Sequence, residues 1–580
     1  MKKSKFSLLL ILTLVFSLFL AACSGDKTSK TNESKGEGGN AGETASDVPQ
    51  EIKVFDSSEI PTMDTSLAEG STSFTYINNV GEGLYRLDQD NKPVPALSDG
   101  EPTISEDQTV FTFKLRDSKW SNGEPVTAHD FVYAWQRAID PKTASPYGPY
   151  MMGGKIKGAQ AITDAASAEP PKPYDVKSLA VVAKDDKTLE VTFEQPIPYW
   201  ADLFAFPTFY PINEKFVKEK GDAYATNKDN LLYNGPFVMT DWDGPSDTEW
   251  VLEKNENYWD KDTVKLAKMT FNSVKDPASA VNAFEAGEVD ITGKLSSDLV
   301  QQYQGDDRLV NELEKTVFWL KMNQTGGKKS GDSEGNKAFK NVNIRKAIAQ
   351  GFDKEAFVAS VLNNGSLPAN YQMPKEFVTD PASGKDWREV NGEFLKYDVE
   401  AAKASWEKGL KELGLKELTV RFLGDDTENA KKTAEYFKNQ LEKNLPGLTL
   451  KVESVPFAVR LERDNAQDYD IQVAGWGPDF RDPMTFSDLF ITGGGSNRMG
   501  YSNPEYDKLI KTALTQLGGK PEEYYKSLMQ AEKILLEQDA AIAPIYQRNS
   551  AILQAPKVKD VASYDYGPDY CYKWTTVAGE

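Results

Sequence analysis

Phe111-Thr-Phe-Lys-Leu-Arg-Asp-Ser-Lys-Trp-Ser-Asn-Gly-Glu-Pro-Val-Thr-Ala-His-Asp-Phe-Val-Tyr-Ala-Trp135 changes its hydrophobic period halfway along. The first part, from Thr109 to Leu115, is strand-like: Val110 and Leu115 are expected near one core, with Phe111 and Phe113 favouring the pleated surface of a sheet. The second part reads as a helix. Thr127 can cap it, Asp130 three residues on completes a capping box, and Phe131, Ala134, Trp135 and Ala138 recur at helical spacing. Asp140-Pro141 then stops it. A strand giving way to a capped helix is the repeating unit of an α/β chain.

The same grammar extends in both directions. Glu51 to Phe55 and Leu189 to Phe193 read as strands. Ala278 to Ala286 is helical, Gly287 stops it, and Val289 to Ile291 returns as a strand. Asn343 to Ala349 and Lys354 to Leu362 make two helices. Leu418 to Leu423 and Leu448 to Val455 flank the helix Ala430 to Leu445, and Asn503-Pro504 caps a helix running to about Leu517. No internal repeat of fixed period is present, and 580 residues exceed one core, so two or three domains are expected.

With 39% apolar and 11% aromatic residues the composition is globular. A formal charge of -21 argues against binding nucleic acid or anionic lipid unaided, since both need basic patches. Residues 1–22 read as an export signal: Lys2, Lys3 and Lys5, an apolar run from Phe6 to Leu20, then Ala21 and Ala22. Leu20-Ala21-Ala22-Cys23 resembles the lipobox of bacterial lipoproteins, which implies a diacylated Cys23; two acyl chains suffice for stable anchoring. From Ser24 to about Gln50 the chain lacks large apolar residues and is expected to be a disordered tether, with a reach of roughly 30 Å. An acylated Cys23 would leave Cys571 as the remaining thiol, expected to be a buried small hydrophobe.

A single histidine, His129, removes most nucleophile–histidine and histidine-rich metal schemes. It falls in a helix's first turn, where a surface position is expected. Clusters such as Asp425-Asp426 and Glu462 with Asp464 could suggest paired-carboxylate or calcium chemistry, and read more simply as solvated surface. No phosphate-binding loop occurs in strand–turn–helix context, and no cofactor or metal is expected. What stands apart is Ala474-Gly-Trp-Gly-Pro-Asp-Phe480, after the strand-like Tyr469 to Val473. There an indole and a carboxylate sit three residues apart in a Gly/Pro-rich turn, where glycine admits close backbone approach. A buried carboxylate on that turn needs a cation, and a ligand ammonium would supply one. A tight turn with Trp476 in the core and Asp479 capping the next segment explains the window equally well.

These residues resemble the oligopeptide and dipeptide substrate-binding proteins of bacterial ABC importers. The Phe111 to Trp135 stretch carries the likeness, and Asp140 to Tyr147 is similar to the oligopeptide branch. Tyr233 to Phe237, Phe284 to Ile291, Val342 to Ile348 and Ala474 to Asp479 continue it in family order. The resemblance implies a type II periplasmic-binding-protein fold with two hinged lobes and an extra domain inserted in the first. Carried over, domain I comprises 51–82, 207–316 and 548–580, domain II 83–206 and domain III 317–547. It implies that Asp479 meets a peptide's free α-amine and that Trp476, Gly475 and Gly477 line its first residues. Tyr147 and Glu69 would contact ligand from the other side of the cleft. Val473 and Gly477 depart from the enteric members, which have a basic residue and a cysteine there; the likeness therefore leaves the site of C-terminal neutralisation open. The expected protein is not an enzyme. It is a monomeric lipoprotein on the extracellular face of a Gram-positive-type cell membrane, with oligopeptides and the importer's permease subunits as partners. The alternatives are a secreted hydrolase acting through carboxylates, and a solute-binding protein for a non-peptide ligand; Asp479 beside Trp476 argues against the latter.

Overall fold

The computed structural model describes residues 48–325 and 333–579, so Cys23, the export signal and the tether as far as Asp47 lie outside the described residues. Three larger sheets carry the architecture, and it is α/β. The first joins Glu51–Asp56 in parallel to Lys268–Ser273, followed by Glu249–Lys254 and Phe237–Asp241. The second is antiparallel and lies within residues 103–192: Thr103–Ile104, Val110–Lys114, Thr188–Thr192, Val181–Asp185. The third is mixed, in the order Leu367–Pro368, Ile542–Leu553, Leu309–Met322, Ile471–Trp476, Leu418–Asp425, Leu448–Val455.

Local sequence explains most elements. The helix Ala128–Ile139 is capped as its sequence specifies: the Asp130 carboxylate accepts from the Thr127 backbone N–H at 2.9 Å, while Phe131, Ala134, Trp135 and Ala138 face the core. Asn503 caps Pro504–Gln516 by accepting from the N–H groups of Glu505 and Tyr506. Leu418–Asp425 and Leu448–Val455 pair in parallel, as a strand–helix–strand unit requires, with Glu428–Asn444 packing Phe437 and Leu441 onto the sheet.

Four expectations are corrected. From Val110 to Leu115 it is Phe111, Phe113 and Leu115 that are buried, and Val110 is only partly buried. Side chains alternate with a period of two, so positions five apart cannot share a face. Val289 to Ile291 is not a strand: Ile291 makes isolated bridges to Val54 and Gln554, too short a contact for a ladder. The helix from Lys354 is α-helical only to Phe357, then widens to a π-turn over Val358–Leu362 and ends at Asn363 with φ 40°. Cys571 is fully buried but not merely a hydrophobe, because its Sγ accepts from Arg86 Nη2 at 3.1 Å.

The two long strands Leu309–Met322 and Ile542–Leu553 pair antiparallel from end to end and connect two separate cores. One end packs Leu320, Met322, Ala543 and Ile545 with the helices of the mixed sheet; the other packs Ala551 and Leu553 with Val281 and Phe284. Between those ends the register shifts twice, between Leu313 and Val317 and between Phe318 and Trp319. Bulges bend and twist a ladder, so the connection is kinked beside the segment that carries Trp476.

Candidate functional site

Ile471–Trp476 extends further than its sequence indicates. The ladder with Leu309–Met322 continues through Gly475 and Trp476, and the turn begins only at Gly477. The glycine at 475 has a packing reason. It sits opposite Phe318, and a Cβ there would lie 2.6 Å from the Phe318 ring, which is itself stacked on Tyr546. At Gly477 a Cβ would meet only the Thr316 hydroxyl, at 3.0 Å. On the strand's other side Leu418–Asp425 pairs with it at Ile471 and Gln472 alone, so Val473 to Trp476 form a strand edge with no second ladder among the described residues. Unpaired edges are ready acceptors for another strand.

The turn then buries Asp479, 5% exposed. Thr485 holds it: the Thr485 hydroxyl accepts from the Asp479 backbone N–H at 3.0 Å and from Trp476 Nε1 at 3.4 Å. Tyr147 donates its hydroxyl to Asp479 Oδ1 at 3.3 Å, while Oδ2 is buried with no hydrogen-bond partner. Tyr147 is fixed by aromatic packing, edge-on to Phe74 at 5.1 Å and stacked on Phe206 at 5.5 Å; Tyr150 meets Trp476 edge-on at 5.9 Å. Burial raises the Asp479 carboxyl to about 8; the hydroxyls of Tyr147 and Tyr150 oppose the rise, Asp488 adds to it and Lys155 opposes it. Asp488 is itself raised to about 6 by burial, against the pull of Lys155, whose ammonium lies 3.6 Å away. Asp479 caps no helix; the helix Met484–Ser487 that follows has Pro483 at its N-cap, and the carboxylate that accepts from the Met484 N–H, at 2.8 Å, is Asp482.

The sequence-derived residues therefore divide. Asp479, Trp476 and Tyr147 come together, with Gly475 and Gly477 on the adjoining edge. Glu69 stands at the margin: its carboxylate lies 3.7 Å from Arg498, and its charge acts on Tyr147. Sequence reasoning missed Tyr150, Lys155, Thr485, Asp488 and Arg498. Of these only Tyr150 left a signal, three residues beyond Tyr147 and so on the same side of the short helix Gly148–Met152. The cations nearby are both engaged, Lys155 with Asp488 and Arg498 between Glu69 and Asp464.

The rival carboxylates are placed otherwise. Asp464 is not solvated surface: it is buried and ion-paired with Lys321, while Glu462 is exposed. Asp425 pairs with Arg460 at 2.7 Å, and Asp426 faces solvent. His129 has a 64% exposed side chain, 3.4 Å from Asp186. Among the described residues no group of three or more side chains is arranged to hold a metal. The arrangement is that of a receptor: a dry carboxyl with one free oxygen, aromatic walls, and an open strand edge leading to it.

Comparison with known proteins fits that geometry. Residues 92–498 match the family model "Bacterial extracellular solute-binding proteins, family 5 Middle". The chain is 34% identical over 538 residues to the dipeptide-binding protein DppE of Bacillus subtilis, covering 92% of this chain and 94% of that one. It is equally 34% identical over 570 residues to the oligopeptide-binding protein OppA of the same organism, covering 96% and 97%. Among solved structures, Listeria monocytogenes OppA bound to peptide superposes with a TM-score of 0.84 at 44% identity, covering 92% of this chain and all of that one. One relative also reports on conformation: the Escherichia coli murein tripeptide-binding protein MppA matches with a TM-score of 0.78, but with only 0.62 in its unliganded open form. At 26% identity in both cases, the difference is one of arrangement, and this chain is not arranged like that open form.

Proposed function

Because the chain belongs to the family 5 bacterial extracellular solute-binding proteins, a family of the type II periplasmic-binding fold, we propose that it captures peptides for an ABC importer and hands them to the permease subunits. The observation that carries this reading is Asp479, buried with Oδ2 unpartnered at the end of an open strand edge. A carboxylate in a dry site calls for a cation, and a peptide's leading ammonium arrives together with a backbone able to pair with Val473 to Trp476. Backbone pairing ignores side-chain identity, as a carrier of many sequences needs. Trp476 and Tyr147 wall the first residue, Gly475 and Gly477 keep side chains off the edge, and Glu69 with Arg498 borders the cleft.

The site draws Tyr147 from residues 83–206 and Asp479 from residues 317–547, and the three larger sheets fall mainly into the segments expected of domains I, II and III. The kinked pair Leu309–Met322 and Ile542–Leu553 is the proposed hinge, on which the two lobes close. Closure hides the ligand from water and shapes the face that the permease reads, so capture and signalling are one population shift. The protein is a monomeric binding component and not a catalyst, tethered through diacylated Cys23 to the extracellular face of a Gram-positive-type membrane.

Calorimetry with a panel of unblocked di- to hexapeptides, and mass spectrometry of the same mixtures afterwards, tests the function. Saturable heat with peptides recovered intact is the expected result; no heat across the panel, or cleavage, would refute it. The anchor has its own test: Cys23→Ser should release the protein from cells into the medium.

A further inference from the structure

A second crevice opens where the segment around Pro198 meets the turn after Asp479 and the start of the helix Pro521–Lys533. It is lined by Tyr199, Asp202, Arg481, Asp482, Tyr524 and Tyr525, with prolines at 198, 381 and 521. It is distinct from the Asp479 site. Asp479 faces Tyr147, whereas Asp482 accepts from the Tyr524 hydroxyl at 2.5 Å, and Tyr199 stacks on Phe480, 4.4 Å between centroids.

Its charge is unbalanced. Asp482 is 5% exposed and Asp202 is partly buried; among the described residues no cation lies within ion-pair distance of either, although Asp202 accepts from the Tyr566 hydroxyl and the Arg481 backbone N–H and is attracted by the Arg481 charge from farther off. The two carboxyls are close enough that Asp202 adds to the upward pressure burial places on Asp482. Arg481 also lines the crevice, but its guanidinium is turned to Asp565 at 3.4 Å and lies over the Tyr566 ring. Tyr199, 3% exposed, lines the crevice with a buried hydroxyl that has no hydrogen-bond partner. Two acids held by hydrogen bonds but without a salt bridge, an unused hydroxyl and three tyrosine rings suit a cation with an apolar body, since rings attract cations through their faces. Two carboxylates are too few for a metal cage, and no cluster of three or more metal-ligating side chains occurs among the described residues.

We propose that this crevice binds a free small organic cation, an alkylammonium, between Asp202 and Asp482. The walls come from residues 198–202 on one side and 381–525 on the other, and they are already in close apposition: a Cβ at Gly518 would lie 2.1 Å from the Pro196 carbonyl oxygen. An occupant therefore fastens those walls in this arrangement. Resting on the peptide reading, the two ligands are coupled, each raising the other's affinity by the same factor.

The test uses the full chain freed of peptide, titrated with n-butylammonium chloride by calorimetry and thermal shift, with butanol and sodium chloride as controls. Saturable binding is expected in the wild type and in Asp479→Asn, with at least a tenfold loss in Asp482→Asn and in Asp202→Asn. Asp202→Asn decides should Asp482→Asn fail to fold, and its retained peptide binding certifies the fold. No saturable binding in the wild type overturns the proposal. So does binding abolished by Asp479→Asn and kept in Asp202→Asn, which would assign the amine to the peptide site.

Discussion

Replacing Asp479 by Asn removes one charge and keeps the shape, and the structure fixes the sign of two consequences. Tyr147 can still donate to Oδ1, so the turn keeps its contacts. What disappears is the proposed partner for an incoming ammonium, at a residue only 5% exposed. Leaving one member of a buried pair unmatched costs about 3–5 kcal/mol, or about two to three and a half orders of magnitude in affinity at roughly 1.4 kcal/mol per decade. The unliganded protein should respond the other way. Burial raises the Asp479 carboxyl from 3.8 to about 8 in this arrangement. A raised folded value means a contribution fully present below the unfolded value and lost as pH climbs through the folded one. At neutral pH the arrangement is therefore disfavoured by about 4 kcal/mol as an upper bound, which opening of the cleft relieves and which Asn does not incur. Calorimetry with one peptide, free and N-acetylated, on wild type and Asp479→Asn closes a double-mutant cycle, and thermal unfolding of both unliganded proteins supplies the second readout. The expected pattern is tight binding confined to the wild type with the free amine, lost on either change, and an Asn variant no less stable than wild type. Equal affinity of the two peptides for the wild type would refute the reasoning.

Three further outcomes follow from the same geometry. A carboxyl at about 8 is protonated at neutral pH, so ammonium capture should expel a proton and affinity should rise towards pH 8. It should then fall as the peptide's α-amine, with a pKa of about 7.7–8.0, loses its own charge; binding heats that do not change between buffers of different ionisation enthalpy would sink this. Lys155→Met should leave Asp488 buried without its cation and lower stability by about 3–5 kcal/mol, measured by urea unfolding, an effect that should shrink in acid as Asp488 protonates. Gly475→Ala drives a methyl into Phe318 and should cost about 1–3 kcal/mol, partly recovered by Phe318→Ala in the same chain; full additivity of the two would show that they do not touch.

Sequence by itself determined whatever rests on neighbours a few residues apart. The Thr127 and Asp130 box, the Asn503 cap, the two strands flanking the helix Glu428–Asn444 and hence the α/β class are all local, because propensity, capping and alternation act within one or two turns. It also marked Asp479 and Trp476, through a composition unusual for a core strand, without choosing between ligand site and plain turn. Only the tertiary structure decided which partners each would have. Tyr147 reaches Asp479 across 332 positions, and Lys155 reaches Asp488 from equally far. The reason for glycine at 475 is a ring on the neighbouring strand, and the face buried by Phe111 and Phe113 depends on what lies above the sheet. Whether a carboxyl is solvated, paired or stranded is a property of everything that surrounds it, and that environment is assembled from segments whose order along the chain carries no distance information.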